Sequence, residues 1–248
     1  MDIFRYNNLE KFYLKIKSLG ETVLFKDFDG GKLFLIRHDV DFDLQLALDL
    51  ALFEKEIGIK STYFILTTCE SYNVLAEKNK EILKKIISLG HEIGLHFDPT
   101  LYKNNLEDKV KKECSILSLA VGTEIKSISL HNPSVHGEYP MFPNMVNAYD
   151  KKLFSDENYI SDSCFNFRGK DPFKFIENIE KGMVQVLLHP LHFSDKGWGY
   201  DDIFFESFKR YLNSIQLNFQ VNSKFKEQVP KGYIRVIKEQ LDNEKENN

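Results

Sequence analysis

The sequence is poor in cysteine and has no long apolar run. Its three cysteines, Cys69, Cys114 and Cys164, are odd in number and far apart, so the sequence predicts neither a disulfide framework nor a structural zinc site. No apolar stretch approaches the roughly 18 to 20 residues that a membrane-spanning helix needs. The N-terminal residues lack the basic start and apolar run of a signal peptide, so a cytoplasmic location is expected.

A concentrated basic surface is also missing. The formal net charge is -4, and the lysines are scattered along predicted helices among glutamates. Because phosphate backbones are bound by clustered basic side chains, the composition argues against nucleic acid as the main partner. With 248 residues, of which 42% are hydrophobic, the chain is long enough for one globular domain with a large core. The oligomeric state cannot be read from the sequence.

The pattern that the sequence does contain is an alternation of strand-like and helix-like segments. Strands are predicted at 23–25, 33–40, 61–67, 91–97, 125–130, 159–163 and 183–188. Helices are predicted at 8–19, 44–57, 74–89, 106–120, 173–180 and 202–217. Such alternation is typical of βαβ units and a parallel sheet, and about seven strands favour a distorted (β/α) barrel in the α/β class. One domain is therefore predicted over residues 1–248.

Three segments fall outside this alternation. Residues 1–32 are predicted to add an N-terminal helix and a hairpin, with Asp29-Gly30-Gly31 as the turn. Residues 131–154 contain three prolines and form a long irregular segment, of a kind that is often functional. Residues 237–248 are rich in Glu, Lys and Asn and are predicted to fray.

Two carboxylates end the strand at 33–40. Since side chains alternate along a strand, Asp39 and Asp41 project from one face and His38 from the other. Two carboxylates that face together repel, so a metal, a histidine or an arginine should lie beside them. The alternative is structural, with Asp41 or Asp43 as the N-cap of the following helix.

A second strand supplies a histidine. In the segment from Gly90 to Asp98, Glu92, Gly94 and His96 share one face, and the glycine leaves room for another group to approach closely. Imidazole together with carboxylate suits a divalent metal such as zinc. In β/α barrels the reactive groups lie where strands end, which brings Asp39, Asp41 and His96 to one edge. Further polar residues at or after strand ends are His131, Asp162, His189 and His192.

Four motifs in order resemble those of the polysaccharide deacetylases, the carbohydrate esterases of family four. They are Asp39-Val40-Asp41, Ser61-Thr62-Tyr63-Phe64, Gly90-His91-Glu92-Ile93-Gly94-Leu95-His96 and Leu187-Leu188-His189. The match covers most of the chain, from about Leu33 to His192. The resemblance implies a distorted barrel and metal-assisted hydrolysis of an acyl group on a sugar, with zinc as the expected divalent ion.

The resemblance also implies roles for individual residues. Asp39 matches the general base and His189 the general acid. Asp41 and His96 match a metal-binding carboxylate and the first metal histidine. Bacterial relatives with a histidine in the third motif resemble enzymes of O-antigen or capsule assembly, which implies a role in surface polysaccharide or lipopolysaccharide biosynthesis.

Two departures from the family pattern leave alternatives open. Thr100 stands where the family has its second metal histidine, and His131-Asn132-Pro133 stands where it has an arginine and a proline. His131 is either the third metal ligand, the reading we favour, or the replacement for the arginine that holds Asp39. In a third reading the metal is lost and the protein only binds sugars.

The substrate is predicted from the residues of the long loops and from the lack of an export signal. Aromatic and polar residues of the long loops are consistent with contacts to sugar rings, and Asp162, Arg168, His192 and Trp198 are predicted to bind substrate. Without an export signal, a nucleotide- or lipid-linked aminosugar is favoured over cell-wall glycan, and its acyl group is acetyl or formyl. A metal-dependent amidohydrolase that acts on a non-sugar amide is the competing class.

Overall fold

The computed structural model describes residues 3–229 together with 232, 235 and 237. The chain divides into two compact units, residues 1–197 and 198–248. The first unit contains the strands β1 Glu21–Val23, β2 Leu33–Val40, β3 Thr62–Leu66, β4 Glu92–Phe97, β5 Ser127–Leu130, β6 Val146–Asn147, β7 Tyr159–Ser161 and β8 Val184–Leu188. Its helices are α1 Tyr6–Leu19, α2 Leu44–Ile57, α3 Glu77–Ser88, α4 Leu106–Val121, α5 Pro133–His136 and α6 Pro172–Phe175.

The second unit is helical in its described part. It contains α7 Tyr200–Phe219 and α8 Ser223–Gln228. The segment 237–248, predicted to fray, lies outside the described residues except for Ile237. Within the described part of the chain, no helix combines the length and apolarity needed to cross a bilayer.

The sheet of the first unit is parallel throughout. Seven strands follow the order β6-β5-β4-β3-β2-β8-β7, and β1 pairs with the first half of β2. The sheet curls into a half-barrel with helices around it, which confirms the predicted α/β class and distorted barrel. No pairing joins β6 to β7 among the residues described, so the barrel stays open at that seam.

The central strands are apolar because both of their faces are covered. Every residue of β3, β4 and β8 is buried, as are all but the first of β2. Strands buried on both faces read as continuous apolar runs, which is why the sequence predicts them well. Asp43 is the N-cap of α2 and accepts a hydrogen bond from the Gln45 amide at 2.8 Å. Asp43, and not Asp41, is therefore the N-cap of α2, so Asp41 is available for another role.

The predicted N-terminal hairpin is wrong. β1 runs parallel to β2, with Glu21 opposite Leu33 and Val23 opposite Leu35. Parallel neighbours cannot be joined by a tight turn, because the chain must return to the start of the sheet between them. It does so through the 3-10 turn Phe25–Asp27 and the loop that contains the two glycines. Gly30 and Gly31 do have positive φ angles, of 113° and 99°, but within this return loop.

The parallel arrangement brings the carboxyl ends of the strands to one edge. Asp39 lies opposite Phe64 of β3, and His96 of β4 lies opposite both Leu66 of β3 and Ser129 of β5. On the other side of β2, His38 pairs with Leu188 of β8, so that His189 follows next to Asp39. The polar residues that the sequence placed at strand ends therefore converge.

Candidate active site

Asp39 is held by an arginine of its own strand. Arg37 lies two positions earlier on the same face, and its Nε and Nη2 donate to the Asp39 Oδ1 and Oδ2 atoms at 2.8 and 2.7 Å. Arg37 is fully buried and lies between two rings, with its Cζ 4.6 Å from the Tyr149 centroid and 5.6 Å from that of Phe64. Burial alone would raise the pKa of Asp39, but the charge and the hydrogen bonds of Arg37 lower it below its ordinary value. Asp39 is therefore ionised at neutral pH.

Asp41, His96 and His131 form a second group beside it. The Asp41 Oδ1 atom lies 3.1 Å from His96 Nε2 and 3.4 Å from His131 Nδ1. The two nitrogens are 3.2 Å apart. Three ligand atoms from three strand ends thus form a nearly equilateral triangle.

The geometry of this triangle suits a tetrahedral ion. With ligand bonds of about 2.0–2.1 Å, neighbouring ligand atoms around tetrahedral zinc are about 3.3 Å apart. Asp41 Oδ1 is buried and makes no hydrogen bond of regular geometry, so it is left as an acceptor that points at the two imidazoles. One carboxylate and two imidazoles form a common donor set for catalytic zinc, and the residues therefore fit a divalent metal.

A serine fixes the tautomer of His96. The His96 Nδ1 atom lies 2.6 Å from the Ser129 hydroxyl, which donates in turn to Asp39 Oδ1 at 3.3 Å. Because the hydroxyl proton goes to Asp39, Nδ1 of His96 must carry the other proton. Its Nε2 lone pair is then free and faces Asp41, the arrangement expected of a metal-ligating imidazole.

His189, which directly follows β8, carries a positive charge. Its Nδ1 donates to Asp162 Oδ1 at 2.6 Å, and its Nε2 lies 3.7 Å from Asp41 Oδ2. Burial would lower the pKa of His189, but the buried Asp162 carboxylate raises it to about 9. His189 is therefore protonated at neutral pH, with Nε2–H directed toward the carboxylates of the site.

Asp162 has no oxygen left for a further partner. It is fully buried, and it accepts hydrogen bonds from the His189 ring and backbone amide and from His192 Nδ1 at 2.8 Å. Both Nδ1 atoms lie at hydrogen-bonding distance from the carboxylate. Asp162, His189 and His192 thus form a hydrogen-bonded cluster in which one acid orients two histidines.

The two groups meet at a small cavity of about 90 Å³. Asp39, Asp41, His96, His131 and His189 line it. Four aromatic rings on the same cavity, with centroids 4.7–5.9 Å from their neighbours, form what we call the aromatic wall: Tyr139, Tyr149, Phe154 and Tyr159. One water needs roughly 10–15 Å³ of such volume, so the cavity has room for a group as large as an acetyl or formyl group.

No family model and no curated protein matches this chain. Solved structures of CE4-family proteins do resemble it, at low identity. A CE4 pseudoenzyme from Bacillus anthracis has a TM-score of 0.42 and 15% identity, over 72% of this chain and 61% of its own. The catalytic domain of a peptidoglycan N-acetylglucosamine deacetylase from Eubacterium rectale has a TM-score of 0.41 and 15% identity, over 78% and 90%. A family 4 acetyl xylan esterase from Clostridium thermocellum, in complex with a cobalt ion, has a TM-score of 0.38 and 13% identity, over 72% and 84%.

This chain spans less than two thirds of the length of the Bacillus anthracis protein.

Six of the predicted site residues lie together on the cavity, and the others do not line it. Asp39, Asp41, His96, His131, His189 and Arg168 all line the cavity. Asp162 and His192, predicted to bind substrate, are buried behind His189 and do not line it. Trp198 belongs to the second unit, and its role stays a prediction. Thr100 is exposed in the 3-10 turn Pro99–Leu101, where its hydroxyl donates to Asp98 at 2.6 Å.

Arg37 is the functional residue that sequence reasoning missed. The alternation that paired Asp39 with Asp41 also puts Arg37 on their face, so the signal was present. Tyr149 was missed as well: it lies in the irregular segment, and its hydroxyl accepts from Arg37 Nη2 at 3.0 Å. With Arg37 in place, Asp39 does not need His131 as its cationic partner.

The opposite face of β2 carries a separate buried network around Glu54 of α2. Its carboxylate accepts hydrogen bonds from the side chains of His38, Ser61, Tyr13 and Tyr63. His38 also contacts the Leu188 carbonyl at 3.0 Å. As alternation predicted, His38 and His91 point away from the cavity, and they join the sheet to α2.

Proposed function

We propose that this protein is a zinc-dependent hydrolase that removes a small N-acyl group, acetyl or formyl, from an aminosugar. The single observation that carries the proposal is the triangle of Asp41 Oδ1, His96 Nε2 and His131 Nδ1 next to an ionised Asp39 and a protonated His189. A metal site flanked by one base and one acid is what hydrolysis of an amide requires.

Asp41, His96 and His131 would hold the ion. When bound, zinc supplies Lewis-acid chemistry that polarises an acyl carbonyl and acidifies water. The buried Asp41 Oδ1 atom, which accepts no hydrogen bond of regular geometry, favours a cation, and the hydrogen bond from His96 Nδ1 to Ser129 aims Nε2 at the same point.

Asp39 is proposed to accept a proton from the attacking water. The paired Arg37 keeps both of its oxygens oriented and the group ionised. As the water oxygen bonds to the acyl carbon, its proton passes to the Asp39 carboxylate. Ser129, which donates to Asp39 Oδ1, links the base to the metal-ligating His96.

His189 is proposed to complete the reaction as the acid. Its Nε2–H would protonate the sugar nitrogen as the C–N bond breaks, giving a carboxylic acid and a free amine. Asp162 stabilises the imidazolium before the transfer and keeps the ring oriented after it. His192, on the other Asp162 oxygen, is proposed to help hold that carboxylate rather than to bind substrate.

The size of the cavity supports the proposal of a short acyl group, and the aromatic wall supports the proposal of a sugar that lies outside the cavity. A nucleotide- or lipid-linked aminosugar of bacterial surface polysaccharide or lipopolysaccharide biosynthesis, in the cytoplasm, is the substrate setting that we propose.

The test measures zinc binding and acyl release in the same preparations. Wild type should bind one zinc in the site and release acetate or formate from N-acylated aminosugars. Asp39→Asn should keep the metal and lose turnover, whereas His96→Ala and His131→Ala should lose both. Thr100→Ala is the matched control, because Thr100 occupies the family's second histidine position but is exposed away from the site, and it should retain both.

Two results would overturn the proposal. If His131→Ala kept full zinc occupancy, the ligand assignment would fail. If the zinc-loaded wild type hydrolysed small cyclic amides but no acylated aminosugar, the protein would belong to the competing amidohydrolase class.

A further inference from the structure

Arg168 is a cation on the cavity that the proposed chemistry does not use. It lines the same cavity as Asp39, Asp41 and His189, but its side chain is exposed, which puts it at the opening. Among the residues that the structure describes, no carboxylate forms an ion pair with it.

The acids of the cavity are already engaged. Asp39 and Asp41 are the acidic residues of its lining. Asp39 is paired with Arg37 through both oxygens, and Asp41 faces His96 and His131. Arg168 is therefore an exposed cation without an ion-pair partner among the residues that line the cavity, and it can recognise an anion there.

The loop that carries Arg168 has an unusual backbone. Cys164, Phe165 and Arg168 all have φ angles between 53° and 57°, a left-handed conformation that side chains with a Cβ atom rarely adopt. Such conformations persist only where the surroundings impose them, and they concentrate at ligand sites.

Packing holds this loop in place. The Phe165 ring lies 4.0 Å from the His192 ring between centroids, and buried Phe167 stacks on Phe4 at 5.9 Å. The Arg168 amide donates to Asn166 Oδ1 at 2.8 Å. The loop that carries Arg168 thus packs against His192, the same histidine that is hydrogen-bonded to Asp162.

We propose that Arg168 forms an anion subsite at the mouth of the cavity, so that the substrate is an acylated aminosugar that carries a phosphoryl or carboxylate group. The inference rests on the proposed function. The planar guanidinium can donate two parallel hydrogen bonds to either group, which a neutral sugar cannot accept in the same way.

The test compares zinc-loaded wild type with Arg168→Gln and with Lys174→Gln. Lys174 is an exposed cation that does not line the cavity, so its loss controls for net charge. Binding is measured by calorimetry, and acyl release is measured in the same mixtures. The probes are N-acetylglucosamine, its 1-phosphate, UDP-N-acetylglucosamine and N-acetylmuramic acid.

Wild type and Lys174→Gln should bind at least one charged probe more tightly than the neutral sugar, and Arg168→Gln should lose roughly 10-fold to 100-fold in affinity for that probe alone. The phosphate and carboxylate probes distinguish the two sources of charge. Equal binding of charged and neutral probes by wild type, or unchanged binding by Arg168→Gln, would overturn the subsite. An Arg168-dependent preference without acetate release from any of these acetylated probes would instead keep the subsite and reject deacetylation as the reaction.

Discussion

At the scale of single residues, the pair of Arg37 and Asp39 is the most constrained feature of the site. Both side chains are buried, at 0% and 5% exposure, and they are joined by two hydrogen bonds. A buried ion pair adds little net stability, because desolvation offsets attraction, but removal of one partner leaves an uncompensated charge. Arg37 therefore matters for folding and for the protonation state of the base together.

We expect Arg37→Met to lower the free energy of unfolding by about 3–5 kcal/mol, because Asp39 would be left charged and buried. Lys32→Met is the control: the Lys32–Glu180 ion pair is 59% and 78% exposed, and its loss should cost about 0–1 kcal/mol. Urea unfolding at pH 7 measures both. The double variant Arg37→Met with Asp39→Leu should recover much of the loss, and a double variant no more stable than Arg37→Met would contradict this account.

The residues of the site show which of its features could be predicted from the sequence alone. Strand alternation placed Asp39, Asp41 and His96 on the cavity, and His38 and His91 behind the sheet. It could not show that Asp162 and His192 turn toward His189 rather than outward, because both follow strand ends where alternation no longer applies. One long-range partner of Arg37, Tyr149, comes from a segment with no periodic pattern at all.

At the scale of elements, the long apolar strands and the helices that end at glycine were predictable, and the short elements were not. β6 has two residues and α5 has four, too few for any period to be read from the sequence. The hairpin prediction was wrong because a glycine turn does not specify whether the strands on either side pair antiparallel.

The Glu54 network links α2 to β2, β3 and β4, and it should make the fold sensitive to acid. Burial alone would raise the pKa of Glu54, but His38, His91 and Ser61 lower it to about 2 from 4.5. A carboxyl group with a depressed folded pKa gives stability that is present above the unfolded value and is lost as pH falls through the folded one. The window is therefore about pH 4.5 down to 2, and the loss is on the order of 3 kcal/mol.

The measurement is the difference in the free energy of unfolding between wild type and Glu54→Gln, followed from pH 6 to pH 2.5. Titration of all other carboxyl groups cancels in this difference, so wild type should lose its advantage as pH falls through the window. A difference that stays constant with pH would show that Glu54 is not the ionised centre of the network.

Gly94 of β4 is needed because Phe64 of β3 fills the space beside it. A Cβ atom at this position would lie 2.6 Å from the Phe64 ring and 3.1 Å from the Ser127 carbonyl oxygen. We expect Gly94→Ala to cost about 1–3 kcal/mol of unfolding free energy through this overlap.

Gly20→Ala is the control for Gly94→Ala. A Cβ atom there would lie 3.4 Å from Phe34, and its φ of 178° suits any residue, so its effect should be small. In Phe64→Leu, which vacates the space, the cost of Gly94→Ala should fall. If Gly94→Ala were no more destabilising than Gly20→Ala, steric exclusion would not be the reason for a glycine at this position.

At the scale of the whole molecule, two groups of one acid and two histidines lie in the described part of the chain, and they differ in what they can bind. Around Asp162, the Nδ1 atoms of His189 and His192 lie 2.6 and 2.8 Å from the carboxylate oxygens. At these distances a hydrogen-bonding proton occupies the space between nitrogen and oxygen, and no ion fits there. Around Asp41 the three atoms are 3.1–3.4 Å apart, and the carboxylate oxygen makes no regular hydrogen bond. A metal should therefore select the second group.

This selection predicts that a bound metal stabilises the fold. The ligands come from β4 and from the segments after β2 and β5, so the site exists only in the folded sheet. An ion bound there adds RT ln(1 + [L]/Kd) to the free energy of unfolding, which is about 2.7 kcal/mol at a free ion concentration of 100 Kd. Zinc should raise the urea midpoint of wild type with an unchanged m value, and a chelator should reverse the shift. His96→Ala and His131→Ala should lose most of it, whereas Thr100→Ala should shift as wild type does. An equal shift in His131→Ala would mean that the ion stabilises the fold without that histidine, and the ligand set would then have to be sought around Asp162.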